Sequence, residues 1–233
     1  MRHLKCALLA AAATVACVSF ASAADMRPAV KAPAFIPVPV QTWTGCYVGG
    51  NIGAGWARGQ MTVDPTGSGV SATNSGFVGG VQVGCDYQFA GGFVIGARDM
   101  FDGASLTGGS TFVSGPLTGG TVDGKTQWFN TLTARLGYAA WPNTLLYVHG
   151  GGAWSRSTQT VTVAGVNVGT FSNNKGGYDV GGGVEYRFAP NWTAFLEYNY
   201  MNFGSGSGIT GTGVPVSFKR DLQNVVVGVN YRF

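Results

Sequence analysis

The last ten residues read NVVVGVNYRF, and their side chains sort by parity. Val225, Val227, Val229, Tyr231 and Phe233 fall on one face; Asn224, Val226, Gly228, Asn230 and Arg232 fall on the other. The same alternation sets Tyr178, Val180, Val184, Tyr186 and Phe188 against Asp179, Glu185 and Arg187, and Leu196, Tyr198 and Tyr200 against Glu197 and Asn199. A helix of 3.6 residues per turn would scramble these faces, so period 2 predicts strands. Eight such segments are expected, at 43–57, 75–89, 93–106, 125–139, 144–158, 176–188, 192–203 and 219–233. Short connections (90–92, 140–143, 189–191) alternate with long ones (58–74, 107–124, 159–175, 204–218). That rhythm predicts an all-β, eight-stranded antiparallel up-and-down meander. An open meander leaves two unpaired edges, which closure into a barrel removes.

The pattern also decides which face meets which solvent. Opposite the large apolar residues lie Asp86, Asp179, Glu185 and Glu197, together with Arg98, Arg135, Arg187 and Arg232. Enclosed, four acids and four bases neutralise one another through charge-assisted hydrogen bonds. Gly49, Gly53, Gly55, Gly80, Gly84, Gly96, Gly181, Gly183 and Gly228 share that phase and make room for long side chains. Aromatics gather at the short-turn ends (Tyr87, Phe89, Phe93, Tyr138, Trp141, Tyr186, Phe188, Trp192, Tyr231, Phe233). A second set lies near the long connections (Trp56, Phe77, Phe101, Trp128, Tyr178, Tyr200, Phe203). Two aromatic girdles flanking an aliphatic band predict a transmembrane barrel, apolar outside and charged within.

Composition agrees: 39 Gly, 12% aromatic and only 10% charged residues in a chain of 233 suit short strands better than a soluble α/β enzyme. Residues 1–23 read as a secretory leader. Arg2, His3 and Lys5 precede an apolar run closed by Ala21, Ser22 and Ala23. Thr14 stands where a lipobox ahead of Cys17 needs Leu or a similar residue, which argues against a lipoprotein. Residues 24–42 are Pro-rich and aperiodic, and read as a periplasmic tether; 43–233 is then the barrel. Removing Arg2 and Lys5 from the 14 basic residues leaves 12 against 10 acidic ones, a net charge of +2. This is no nucleic-acid footprint. After the leader no stretch approaches the ~18 apolar residues of a spanning helix, which says nothing against a barrel.

Candidate chemistry is sparse. GGTVDGKT (119–126) matches G-x-x-x-x-G-K-T, but a phosphate cradle needs a helix N-terminus behind it. Here a period-2 strand follows, with Trp128, Leu132, Ala134, Leu136 and Tyr138 outward, so no nucleotide is expected. His149 is the one histidine after the leader, and it points inward with Tyr147, opposite Leu146, Val148 and Trp154. The bland reading is a buried polar partner; the sharp one is a proton-sensitive gate. No metal cluster, cofactor or catalytic set is expected. Glu185 and Glu197 could pass for paired catalytic carboxylates, but among arginines they read as structural ions.

In order, WTGCYVGGNIGAGW (43–56), GGVQVGCDYQF (79–89), LLYVHGGGAW (145–154), VGGGVEYRFAPNWTAFLEYNYMNFG (180–204) and the terminal NYRF resemble the small outer-membrane barrels of the immunogenic-protein type. These are porin-family, OmpA-like barrels of Gram-negative bacteria, especially alphaproteobacteria. The resemblance implies short periplasmic turns, long surface loops, contact with outer-membrane lipid and lipopolysaccharide, and insertion by the outer-membrane assembly machinery. Phe233, with Tyr231 two residues before it, looks like the signal that machinery reads. The lipid A deacylases among such barrels place a Ser two residues from a His; here Gly151 stands at that spacing from His149. Larger family members carry a peptidoglycan-binding domain, whereas this chain stops at the last strand. Cys46 stands where an aromatic residue is expected. If 58–73 closes a symmetric hairpin, partners sum to 131, which pairs Cys46 with Cys85, both outward. Opposed residues lie within disulfide reach. Three functions follow as expectations: a structural and surface-interaction barrel, a narrow porin-like channel, or loop-borne ligand capture such as haem. Peptidoglycan or host-surface contacts would be made by the tether and the loops.

Overall fold

Each of eight strands pairs antiparallel with the next in a computed structural model, and the last pairs with the first to close a barrel. The structure describes residues 42–63, 68–111, 119–163, 165–209 and 215–233; the expected leader and all of the tether but Thr42 lie outside them. The strands are β1 (Gly45–Val63), β2 (Ser68–Gln88), β3 (Phe93–Thr111), β4 (Thr121–Trp141), β5 (Thr144–Val163), β6 (Val166–Ala189), β7 (Trp192–Ile209) and β8 (Pro215–Arg232).

The short turns fall where expected. In the β2–β3 turn, Gly91 and Gly92 take φ of 92° and 89°, and Phe89 N–H donates to the Phe93 carbonyl at 2.8 Å. Only glycine adopts that backbone without strain. The long connections differ from expectation. Most of 58–74, 107–124, 159–175 and 204–218 is strand, so each upper hairpin runs on well past the apolar band. Stretches such as STQTVTV (157–163) are rich in β-branched residues, which favour the pleated backbone. Their apolar alternation is confined to short runs such as Val161-Thr162-Val163, too brief for period 2 alone to extend the strands. The phosphate-loop pattern lies here too: Thr121–Thr126 opens β4 as strand.

Register follows the arithmetic of the first hairpin. From Gly45↔Asp86 to Val63↔Ser68 every β1–β2 pair sums to 131, and Cys46↔Cys85 is one of them. The two cysteines form a disulfide, their Cα atoms 3.9 Å apart. Both side chains lie on the outer surface.

The outer face is a continuous apolar band. Ile52, Phe77, Val81, Leu132, Val148 and Val227 are all exposed, Phe77 to 81%. In water such a surface would be a severe aggregation hazard, and in hydrocarbon it is the ordinary solution. The short-turn girdle is present as a row of exposed rings, with Phe93–Tyr138 and Trp192–Tyr231 in contact. At the other girdle Phe101 stacks on Trp128. Phe203 does not belong to it. It faces the lumen at 3% exposure, because Leu196, Tyr198 and Tyr200 hold the outward phase and 203 has the opposite parity.

Candidate functional site in the barrel lumen

All eight ionic residues predicted to face inward are buried: Asp86, Arg98, Arg135, Asp179, Glu185, Arg187, Glu197 and Arg232. The strands bring most of them into one network at the short-turn end. Glu185 accepts from Arg135 Nη2 at 2.8 Å, Thr193 Oγ1 at 2.6 Å, Asn230 Nδ2 at 3.1 Å and Arg232 Nη2 at 3.3 Å. Asp86 pairs with Arg232 and, at 3.4 Å, with Arg135. Glu197 takes both guanidinium nitrogens of Arg98, Nη2 at 2.8 Å, and the Tyr147 hydroxyl at 2.7 Å. His149 Nε2 lies 3.3 Å from Asp179. Fork-to-carboxylate pairs of this kind have the geometry that repays desolvation. Glu185 and Glu197, the two acids that could pass for a catalytic pair, each have both carboxylate oxygens engaged with donors.

The inward glycines provide the room. A Cβ on Gly84 would stand 2.5 Å from the Tyr47 hydroxyl, and one on Gly181 would stand 2.7 Å from the His149 ring. Side chains on non-adjacent strands can therefore meet across the axis.

Three parts of the lumen were not anticipated. Trp43 stops the short-turn mouth, buried between Arg187 and Arg232, whose guanidinium carbons lie 4.5 and 5.0 Å from its ring. Arg187 also donates to the Thr42 carbonyl at 2.7 Å and Arg232 to the Trp43 carbonyl at 2.9 Å. Asp102 is a further buried acid, fully enclosed. Above Asp102, which lies opposite Phe129, the upper lumen is lined mainly by apolar side chains. There Ala57, Val78, Leu106, Phe129, Ala153, Met201, Phe203 and Leu222 pack together, with Phe195 and Val226 reaching down. The cluster draws side chains from seven of the eight strands and so crosses the lumen. The signal was available: Phe129 shares the parity of Arg135, Phe195 that of Glu197, Leu222 that of Arg232.

An apolar exterior, two girdles and an inverted, filled interior define a transmembrane β-barrel. By sequence the chain belongs to the outer membrane protein beta-barrel domain family, whose profile matches residues 8–233. It is 32% identical over 243 residues to the 31 kDa outer-membrane immunogenic protein of Brucella melitensis, covering 99% of this chain and 100% of that one. The 25 kDa outer-membrane immunogenic protein of Brucella abortus is 26% identical over 238 residues, covering 100% of both chains. Among solved structures, the attachment invasion locus protein Ail of Yersinia pestis aligns with a TM-score of 0.41 at 17% identity, over 82% of this chain and 99% of that one. The protein thus resides in the Gram-negative outer membrane.

Proposed function

We propose that this barrel is a structural and surface-contact protein, not an enzyme and not an open channel. The observation that carries the reading is the apolar cluster from seven strands, which crosses the lumen above the buried ion pairs Arg98–Glu197, Arg135–Glu185 and Arg232–Asp86. A solute path would have to pass both. The upper hairpins, extended as strand beyond the girdle, carry the surface contacts; the immunogenic label of the Brucella relatives supports a surface-facing role. In this reading residues 1–23 are the cleaved leader, 24–42 the periplasmic tether, and Tyr231 with Phe233 the assembly signal.

Planar-bilayer recording of the refolded mature chain tests the role. No stable conductance steps are expected at moderate voltage. Regular steps of porin size, present in the unmodified protein, would refute the closed-lumen reading and favour the channel.

A further inference from the structure

Among the described residues, one charged side chain faces outward between the two girdles: Asp99, on β3. It is opposed by Val83 and Leu132 and lies two residues below Phe101. Its Oδ1 accepts from Asn130 Nδ2 at 2.7 Å, and Asn130 is likewise on the outer face. A carboxylate at this depth is unfavourable unless something in the membrane uses it. Among the described residues the outer surface at this level offers no cation to a second copy of the chain, so self-association would leave it uncompensated.

The residues above it are ordered by chemistry. Phe101 stacks on Trp128, and Asn130 lies opposite Trp154 on β5. One side-chain step higher on β5 is the exposed Arg156, opposite Trp128; Lys125 is exposed just above, beyond the bulge that admits Gln127. Bulges re-aim side chains, and this one turns Trp128 and Lys125 onto the same face. From surface to hydrocarbon the stripe therefore reads cation, indole, hydrogen-bonding pair, aliphatic.

We propose that this β3–β5 stripe is a binding site for a phosphorylated, N-acylated glycolipid of the outer leaflet. Arg156 and Lys125 take its phosphate, and Trp128 and Trp154 lie against the sugar. Asp99 and Asn130 bond the amide N–H and hydroxyl groups at the head of the acyl chains, and Leu132 and Val83 meet the chains themselves. A glycerophospholipid has a phosphate but only ester oxygens at the depth of Asp99, with no hydrogen to donate. The acid thus selects the glycolipid, and the cations select its phosphorylated form. The inference goes beyond the structural role proposed above, and conductance does not bear on it.

Native mass spectrometry of the mature, refolded chain tests it with three probes: hexa-acylated bisphosphoryl lipid A, the same lipid dephosphorylated, and dioleoylphosphatidylglycerol. The unmodified chain should retain bisphosphoryl lipid A at least about tenfold better than either other probe. Lys125→Ala with Arg156→Ala should lower that retention roughly fivefold per cation removed. Asp99→Leu with Asn130→Leu should erase the preference over phosphatidylglycerol, while the urea midpoint in phosphatidylglycerol vesicles stays level or rises. A purely structural pair would instead lower that midpoint. Equal retention of all three probes by the unmodified chain overturns the site, as does full retention of the preference in the two double variants.

Discussion

The lumen presents two chemistries on one phase of the same strands. At the periplasmic end, Arg98 on β3 reaches Glu197 on β7, Arg135 on β4 reaches Glu185 on β6, and Arg232 on β8 reaches Asp86 on β2. At the extracellular end, Leu106, Phe129, Met201 and Leu222 meet with no polar partner to satisfy. The lower tier is held by directed bonds and the upper by shape. A one-residue slip of any strand that carries inward ions would turn them to lipid, so the lower tier specifies register far more sharply than the upper. The upper tier tolerates volume-conserving exchange, and its contribution is to exclude water. One tier sets the pairing, and the other closes the axis.

The lower tier is most vulnerable at Glu185. Glu185→Ala strips a common acceptor from Arg135, Arg232, Thr193 and Asn230 in a closed site. Removing one partner of a buried pair leaves the other charge uncompensated and costs about 5 kcal/mol at the upper end. Urea unfolding in phospholipid vesicles should show a loss of this order, and folding efficiency should fall with it. A loss below about 1 kcal/mol would mean that water reaches the network freely and that the lower tier is not dry.

Phe129→Ala should cost less, about 3 kcal/mol, because it leaves a cavity but no orphaned charge. Its signature is different in kind. If the upper tier is the seal, the variant should show brief conductance events absent from the unmodified chain, whereas a conservative Phe129→Leu should not. A variant that is destabilised yet electrically silent would assign the seal to the lower network and the Trp43 stopper.

Much of this was legible from parity alone. The strand count, the closure, the outward Val and Leu rows and the eight inward ions all follow from period 2, since lipid and lumen impose opposite demands on alternate residues. The Cys46–Cys85 pairing was legible because a symmetric hairpin fixes a constant sum. The rest was not legible, for identifiable physical reasons. The upper hairpins alternate only in short runs, such as Val161-Thr162-Val163 and Val216-Ser217-Phe218, so period 2 is weak where strand propensity is not. Leu106 and Phe129 resemble lipid-facing residues unless their phase is traced back to Arg98 and Arg135. Trp43 opens the expected 43–57 segment with the inward parity of Tyr47, but parity does not say that a ring at the mouth will stack between Arg187 and Arg232. Asp99 has the parity of the outer face, and parity offers no reason to place a carboxylate there.

The smallest expected effect lies on the boundary between the tiers. Asn199 on β7 donates to Asn224 on β8 at 2.7 Å, both fully enclosed. Glu197 lies one inward step below Asn199, and Met201 and Leu222 one step above the pair. Asn224→Leu alone removes the acceptor and leaves the Asn199 amide buried without it, at about 1–2 kcal/mol. Replacing both by Leu removes donor and acceptor together, and the apolar tier then descends by one layer. The double variant should sit within about 1 kcal/mol of the unmodified protein, so the cycle should return a coupling nearly as large as the single loss. If the double variant instead loses the sum of both singles, the asparagines are bonded into the ionic network below, and the two tiers are one cooperative unit. Near-neutrality would show that the charged and apolar halves meet at a seam that can be moved.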